Sequence, residues 1–243
     1  MGKMLRLDKF LADMGVGTRS QLKNIIRKGR VSVNHEMVCS PERKVNPDLD
    51  VVSVDGTCVS YTEKEYYMLH KPAGVISATE DSRHKTVLDL IESKQRKDLF
   101  PVGRLDVDTE GLLLITNDGA LAHRLLSPKK HVDKIYYVEV DREIPESTNK
   151  RFAEGIQLED GTVFQPAVLK QETQKSAYLT IQEGKFHQVK RMFQAVGCKV
   201  TYLKRISMGP LVLDVNLACG AYRKLTTNEI QMLYEFGGND EGL

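Results

Sequence analysis

The stretch FPVGRLDVDTEGLLLITNDG, residues 100 to 119, constrains this chain more than any other. Leu112 to Ile115 is a short apolar run bounded by Gly111 and by Asn117 to Gly119, which reads as a strand buried in a sheet. Arg104, Asp106, Asp108, Thr109 and Glu110 stand immediately before it. A buried strand needs no such approach, so the charged half asks for its own explanation. One is an Asx-turn, or a loop contact from Asp106 to Thr109; the other is a carboxylate held at the rim of a rigid sheet to do chemistry.

The chain is long enough to bury one sizeable core or a core with a small satellite, having 243 residues of which 41% are hydrophobic. The first part reads as two short helices and a strand pair. Leu7, Phe10, Leu11 and Met14 recur at helical spacing before Gly15, and Thr18 with Gln21 forms a capping box for a helix whose apolar side is Leu22, Ile25 and Ile26 and which stops at Gly29. Residues 59 to 65 form a polar connection. From about Tyr66 the pattern mixes strands (Tyr66 to Leu69, Gly111 to Thr116, Ile135 to Val140, Ala177 to Gln182, Val200 to Ile206) with helices (Thr86 to Ser93, Ala120 to Leu126, Gln188 to Val196). These do not alternate as strand, helix, strand units, so the expected class is α+β, with a mostly antiparallel mixed sheet and flanking helices. The expected domains are 1–60, a small helix-rich module, and 61–243. The last residues, GGNDEGL, read as a loose tail.

Several functions lose support here. Cysteines 39, 58, 198 and 219 form neither a C-x-x-C pair nor a disulfide framework, which fits a reducing, cytoplasmic location. There is no phosphate-binding G-x-x-x-x-G-K loop, no dinucleotide fingerprint and no H-E-x-x-H, so neither a metal nor a cofactor is expected. No segment has the roughly 20 apolar residues that span a bilayer, and charges interrupt the N-terminus where a signal peptide would be apolar. The net charge is only +2, but residues 1 to 30 hold eight Lys or Arg against Asp8 and Asp13. Arg19, Lys23, Arg27, Lys28 and Arg30 remain after the apolar side of the second helix is removed. They form either a solvated face or a phosphate-binding surface.

The segments RLDKFLA, TRSQLKNIIRKGRVSVN and VNPDLDVVSVDG resemble the alpha-L RNA-binding module of a small-subunit ribosomal protein, over about the first 60 residues. At GRLDVDTEGLLLITNDG the chain resembles the catalytic signature of pseudouridine synthases, in the ribosomal RNA branch known as the RsuA family. HKPAGV, DKIYYVEV and EGKFHQVKRMFQAVG match three further segments of that family in the same order.

The resemblance implies that Asp106 is the catalytic aspartate, ionised, acting by covalent attack at the anomeric carbon or by removing a ribose proton to give a glycal. It implies that Lys190 pairs with this aspartate, where many relatives have arginine; Arg191 is the alternative. Tyr136 would stack on the uracil, unless it is a core tyrosine with Tyr137 on the opposite face. Arg104 would fill the gap left by the flipped nucleotide, or else pair with Asp108 or Glu110. Lys71 and Lys185 are candidates for phosphate contacts, with exposed lysines as the alternative, and Arg19, Lys23, Arg27, Lys28 and Arg30 would touch an RNA backbone. GKFHQVKRMFQAVG and DKIYYVEV are most similar to the enzyme that modifies one uridine of small-subunit (16S) ribosomal RNA. The implied partner is therefore ribosomal RNA or a partly assembled small subunit, with the protein a monomer off the membrane. A large-subunit enzyme, or a non-catalytic RNA binder that assists ribosome assembly, are the competing readings.

Overall fold

The computed structural model describes residues 4–236; the tail expected at 237–243 lies outside them. The chain divides into two units, Met1–Glu65 with Glu92–Leu99, and Tyr66–Ile91 with Phe100–Leu243.

In the first unit, helices α1 (Leu7–Asp13) and α2 (Arg19–Arg27) turn Leu7, Phe10, Leu11, Leu22 and Ile26 toward one core. Strands β1 (Leu5–Arg6), β2 (Val31–Val33), β3 (Glu36–Val38), β4 (Lys44–Val45), β5 (Val52–Val54) and β6 (Thr57–Val59) add Val31, Val33, Val38, Val45 and Val52 to it. The capping box at Thr18 and Gln21 is present, satisfying backbone N–H groups that the first turn of α2 leaves open. Residues 92–99 return to this unit. There the buried Arg96 guanidinium reaches Asp98, Tyr61 and Asp13.

The second unit is built on one nine-stranded sheet. Its strands are β7 (Tyr66–Lys71), β8 (Phe100–Pro101), β9 (Glu110–Thr116), β10 (Lys134–Val140), β13 (Val168–Thr173), β14 (Ser176–Ile181), β15 (Val200–Met208), β16 (Leu211–Val212) and β17 (Tyr222–Lys224), with β11 (Ile156–Gln157) and β12 (Val163–Phe164) pairing apart. The order is β13-β14-β10-β15-β9-β7-β17, antiparallel throughout except for β15 beside β9. β7 is buried at every position and β9 at all but its first, as central strands covered on both faces must be. On one side pack α3 (Gly119–Leu126) and α6 (Thr227–Glu235), whose Leu121, Leu125 and Leu233 join Met68, Leu112 and Leu114. Helices α4 (Thr148–Glu154) and α5 (Gln188–Ala195) complete the unit.

All five expected strands form, as do the helices expected at Ala120 and Gln188. The helix expected over Thr86 to Ser93 is corrected to a single 3-10 turn, Val87–Leu90. Asp89 folds back on the Thr86 N–H, and Ile91 leaves helical geometry at once (ψ 83°) as the chain departs for the first unit. Gly111 decides the parallel pairing. A Cβ there would sit 2.2 Å from the Arg205 carbonyl oxygen, and its φ of +106° is one that L side chains rarely adopt.

Candidate active site

β7 and β9 pair so that Lys71 lies opposite Gly111, at the edge from which the Asp106 segment hangs. The Lys71 ammonium donates to the main-chain carbonyls of Asp106 (3.0 Å), Thr109 (2.9 Å) and Pro72 (3.0 Å), with Val107 at 3.4 Å. Gly74 N–H donates to Val107 O, Thr109 N–H to Asp106 O, and Ser77 both accepts from Leu105 N–H and donates to Leu105 O. The loop is thus held by its backbone, which leaves the Asp106 carboxylate to the cleft. Of the two packing alternatives for Asp106, the loop contact to Thr109 is present, as Thr109 N–H donating to the Asp106 carbonyl, and the carboxylate remains at the cleft.

Asp106 borders a cleft lined also by Arg104, Tyr136, Ile181, His187, Lys190 and Leu203. Lys190 Nζ stands 3.1 Å from Asp106 Oδ2 and 2.5 Å from Asp108 Oδ1, while His187 Nε2 faces Asp106 Oδ1 at 3.6 Å. Burial works against the Lys190 ammonium, but Asp108 and Asp106 together hold its pKa above the usual lysine value. Its hydrogen bond in turn lowers the Asp108 carboxyl. The site therefore keeps a fixed positive charge beside the aspartate.

Strand alternation places Tyr136 and Tyr137 on opposite faces. Tyr136, 7% exposed, lines the cleft. Tyr137 packs against Tyr178 and Tyr202 and donates to Glu139. Lys134, two residues before Tyr136, is buried and donates to the carbonyls of Val132 and Gln182; burial, then the neighbouring Arg205, push it down to about 8.

Arg104 is exposed at the cleft and makes no ion pair among the described residues. Asp108 is taken by Lys190, and Glu110 accepts from Tyr202. Arg191 does not meet Asp106: it pairs with Asp160 and Thr162, with its guanidinium over the Phe164 ring. Lys185 pairs with Glu183 at 2.9 Å and donates to Val163 O.

Lys71 requires correction as a phosphate contact. It is fully buried, burial pushes it down to about 8, and its donors are spent on the Asp106 loop. In the first unit, Arg19, Lys23, Arg27 and Lys28 are exposed without ion pairs among the described residues. Arg30 is bound through its guanidinium to Asp55.

Sequence reading passed over His187 and Asp108 as site residues. His187 starts α5 at φ 49° with Phe186, 74% exposed, stacked on its ring at 3.8 Å. Its position three residues before the basic pair in FHQVKR was the available signal.

Residues 65–195 match the family described as RNA pseudouridylate synthase, and residues 5–51 match the S4 domain. The chain is 48% identical over 236 residues to the uncharacterized RNA pseudouridine synthase YtzG of Bacillus subtilis, covering 95% of this chain and 99% of that one. It is 40% identical over 227 residues to ribosomal small subunit pseudouridine synthase A of Escherichia coli strain K12, covering 93% and 98%. A crystal structure of a pseudouridylate synthase aligns with a TM-score of 0.67 at 39% identity, covering 94% of this chain and 99% of that one.

Proposed function

The chain belongs to the RNA pseudouridylate synthase family and carries an S4 domain, and from this we propose that it converts a uridine of small-subunit ribosomal RNA to pseudouridine with Asp106 as the catalytic carboxylate. The small-subunit target is supported by the 40% identity to the E. coli enzyme whose name states it. The observation that carries the catalytic role is the Asp106 carboxylate at the cleft, its backbone tied down by Lys71 and its charge matched by Lys190.

The reaction breaks the bond from uracil N1 to ribose C1′, rotates the base, and joins C5 to C1′; C5 then loses its proton and N1 gains one. Asp106 acts on the ribose, either forming an ester at C1′ that C5 later displaces or taking a ribose proton that it returns. Tyr136 holds the freed uracil against its ring, which keeps the base in the cleft while it turns. Arg104, which has no ion pair among the described residues, occupies the space the flipped nucleotide leaves in the RNA. Anchoring falls to residues 1–60, where Arg19, Lys23, Arg27 and Lys28 meet phosphates; the RNA is bound free or within a partly assembled small subunit, by a monomer.

The test compares the protein with Asp106→Asn on unmodified small-subunit and large-subunit RNA, mapping pseudouridine by carbodiimide adduct and primer extension. One new stop in the small-subunit RNA, absent with the variant and with RNA affinity within a few-fold, is the expected result. Stops only in large-subunit RNA would move the target. An unchanged rate in the variant would remove Asp106 from the mechanism, and no stop in any RNA or particle would leave a binding protein.

A further inference from the structure

Away from the cleft chemistry, His70 on β7 is 7% exposed and oriented with unusual definiteness. Its Nδ1 lies 2.8 Å from the Leu217 carbonyl oxygen. A carbonyl only accepts, so Nδ1 carries the ring proton and Nε2 presents a lone pair. That Nε2 is buried and has no hydrogen-bond partner among the described residues. A buried acceptor without a donor is an unusual arrangement and calls for an occupant.

Two further ligand-type side chains lie close to His70. One atom each of His70, Glu110 and Cys219 lie within 4.8 Å of one another. Glu110 is the first residue of β9, and one of its oxygens accepts from Tyr202 O–H at 2.8 Å, which leaves the other available. Cys219 belongs to the turn before β17, and that turn is fastened to His70 by its backbone: Gly220 N–H donates to His70 O (2.8 Å), and His70 N–H to Ala221 O (3.0 Å).

We propose that His70, Glu110 and Cys219 form a binding site for a thiophilic divalent cation, zinc foremost. Imidazole nitrogen, carboxylate oxygen and thiolate sulfur are the ligand set zinc accepts, at about 2.0–2.3 Å each in a tetrahedron. The three protein ligands leave a fourth position of the tetrahedron for water. The surroundings match such a site: Leu217 fixes the imidazole through its other nitrogen, as backbone carbonyls do behind metal-bound histidines, and Tyr202 orients Glu110. Cys219 binds as thiolate, releasing its proton to solvent, so that thiolate and carboxylate balance the dication. The ion clasps the 217–221 turn to β7 and to the start of β9. The chemistry proposed at Asp106 has no step through it, so the two proposals stand or fall separately.

The test uses the full chain, reduced and freed of metal by chelation, titrated with Co²⁺ without oxygen. One equivalent is expected to bind with a sulfur-to-cobalt charge-transfer band and the strong visible bands of a tetrahedral ion, both erased by one equivalent of Zn²⁺. Cys219→Ser removes the charge-transfer band, His70→Asn weakens binding at least tenfold, and a Cys39→Ser, Cys58→Ser, Cys198→Ser triple variant keeps the band. Zn²⁺ also raises the melting temperature of the parent protein and not of Cys219→Ser. A band that survives in Cys219→Ser, weak six-coordinate bands alone, or no saturable binding would overturn the site.

Discussion

Lys71 Nζ lies 3.0 Å from the main-chain carbonyl oxygen of Asp106, so the residue that presents the carboxylate is fixed through its backbone by a buried ammonium. The same nitrogen binds the carbonyls of Thr109 and Pro72. Lys71→Met keeps the length of the side chain and removes these bonds. The expected result is a fall of about 10²-fold or more in kcat, because a misplacement of about 1 Å at a reacting group costs that much. KM changes far less, and the urea midpoint drops with the loss of donors to buried carbonyls. Steady-state kinetics and equilibrium unfolding of the one variant check both.

Lys190 bridges Asp106 and Asp108, whereas Arg191 is engaged with Asp160. Lys190→Met is therefore expected to lower kcat at least tenfold, Lys190→Arg to retain most activity by keeping the charge, and Arg191→Met to change kcat less than Lys190→Met. Equal losses in the Lys190→Met and Arg191→Met variants would break the assignment. Single-turnover rates on saturating RNA give the comparison directly.

In and just after α2, Arg19, Lys23, Arg27 and Lys28 are exposed without ion pairs among the described residues, while Arg30 is neutralised by Asp55. Replacing the first four by alanine should weaken RNA binding and flatten its dependence on salt, by about 0.7 to 0.9 in log–log slope for each phosphate that is no longer neutralised. Arg30→Ala should change the slope less than any of them. These variants are preferable to deleting residues 1–60, since residues 92–99 belong with the first unit and Arg96 would be deprived of Asp13.

Glu229 caps α6 and receives two hydrogen bonds from Arg223, which, with the Thr226 backbone, hold its carboxyl down to about 2 against burial. The folded pKa is below the unfolded one, so this stabilisation is complete above the ordinary glutamate range near 4.5. It is lost as pH falls from there toward 2. Glu229→Gln, which can still serve the capping box, is expected to cost about 1–3 kcal/mol at pH 7. The gap to the parent protein narrows steadily below pH 4.5, and urea unfolding at pH 7, 4 and 3 measures it.

Much of this protein was settled by local pattern. The apolar run Leu112 to Ile115, the alternation through DKIYYVEV and the Thr18 capping box each depend on neighbours within a few residues, and each formed as read. Thr86 to Ser93 marks where local pattern stops deciding: its apolar spacing fits a helix, yet the chain must leave for another unit after Ile91, and one 3-10 turn is all that forms. Charge signs along the chain were likewise legible, but not what each charge meets. Lys71 and Lys185 are both lysines beside a glycine-containing loop in sequence; one is buried against carbonyls and the other pairs with Glu183 at the surface. Only the pairing of β7 with β9, and of β9 with β15 across Gly111, places Lys71 under Asp106 and brings His70, Glu110 and Cys219 together. Such convergence arises from strand register between segments far apart in the chain, which no periodicity within a segment encodes.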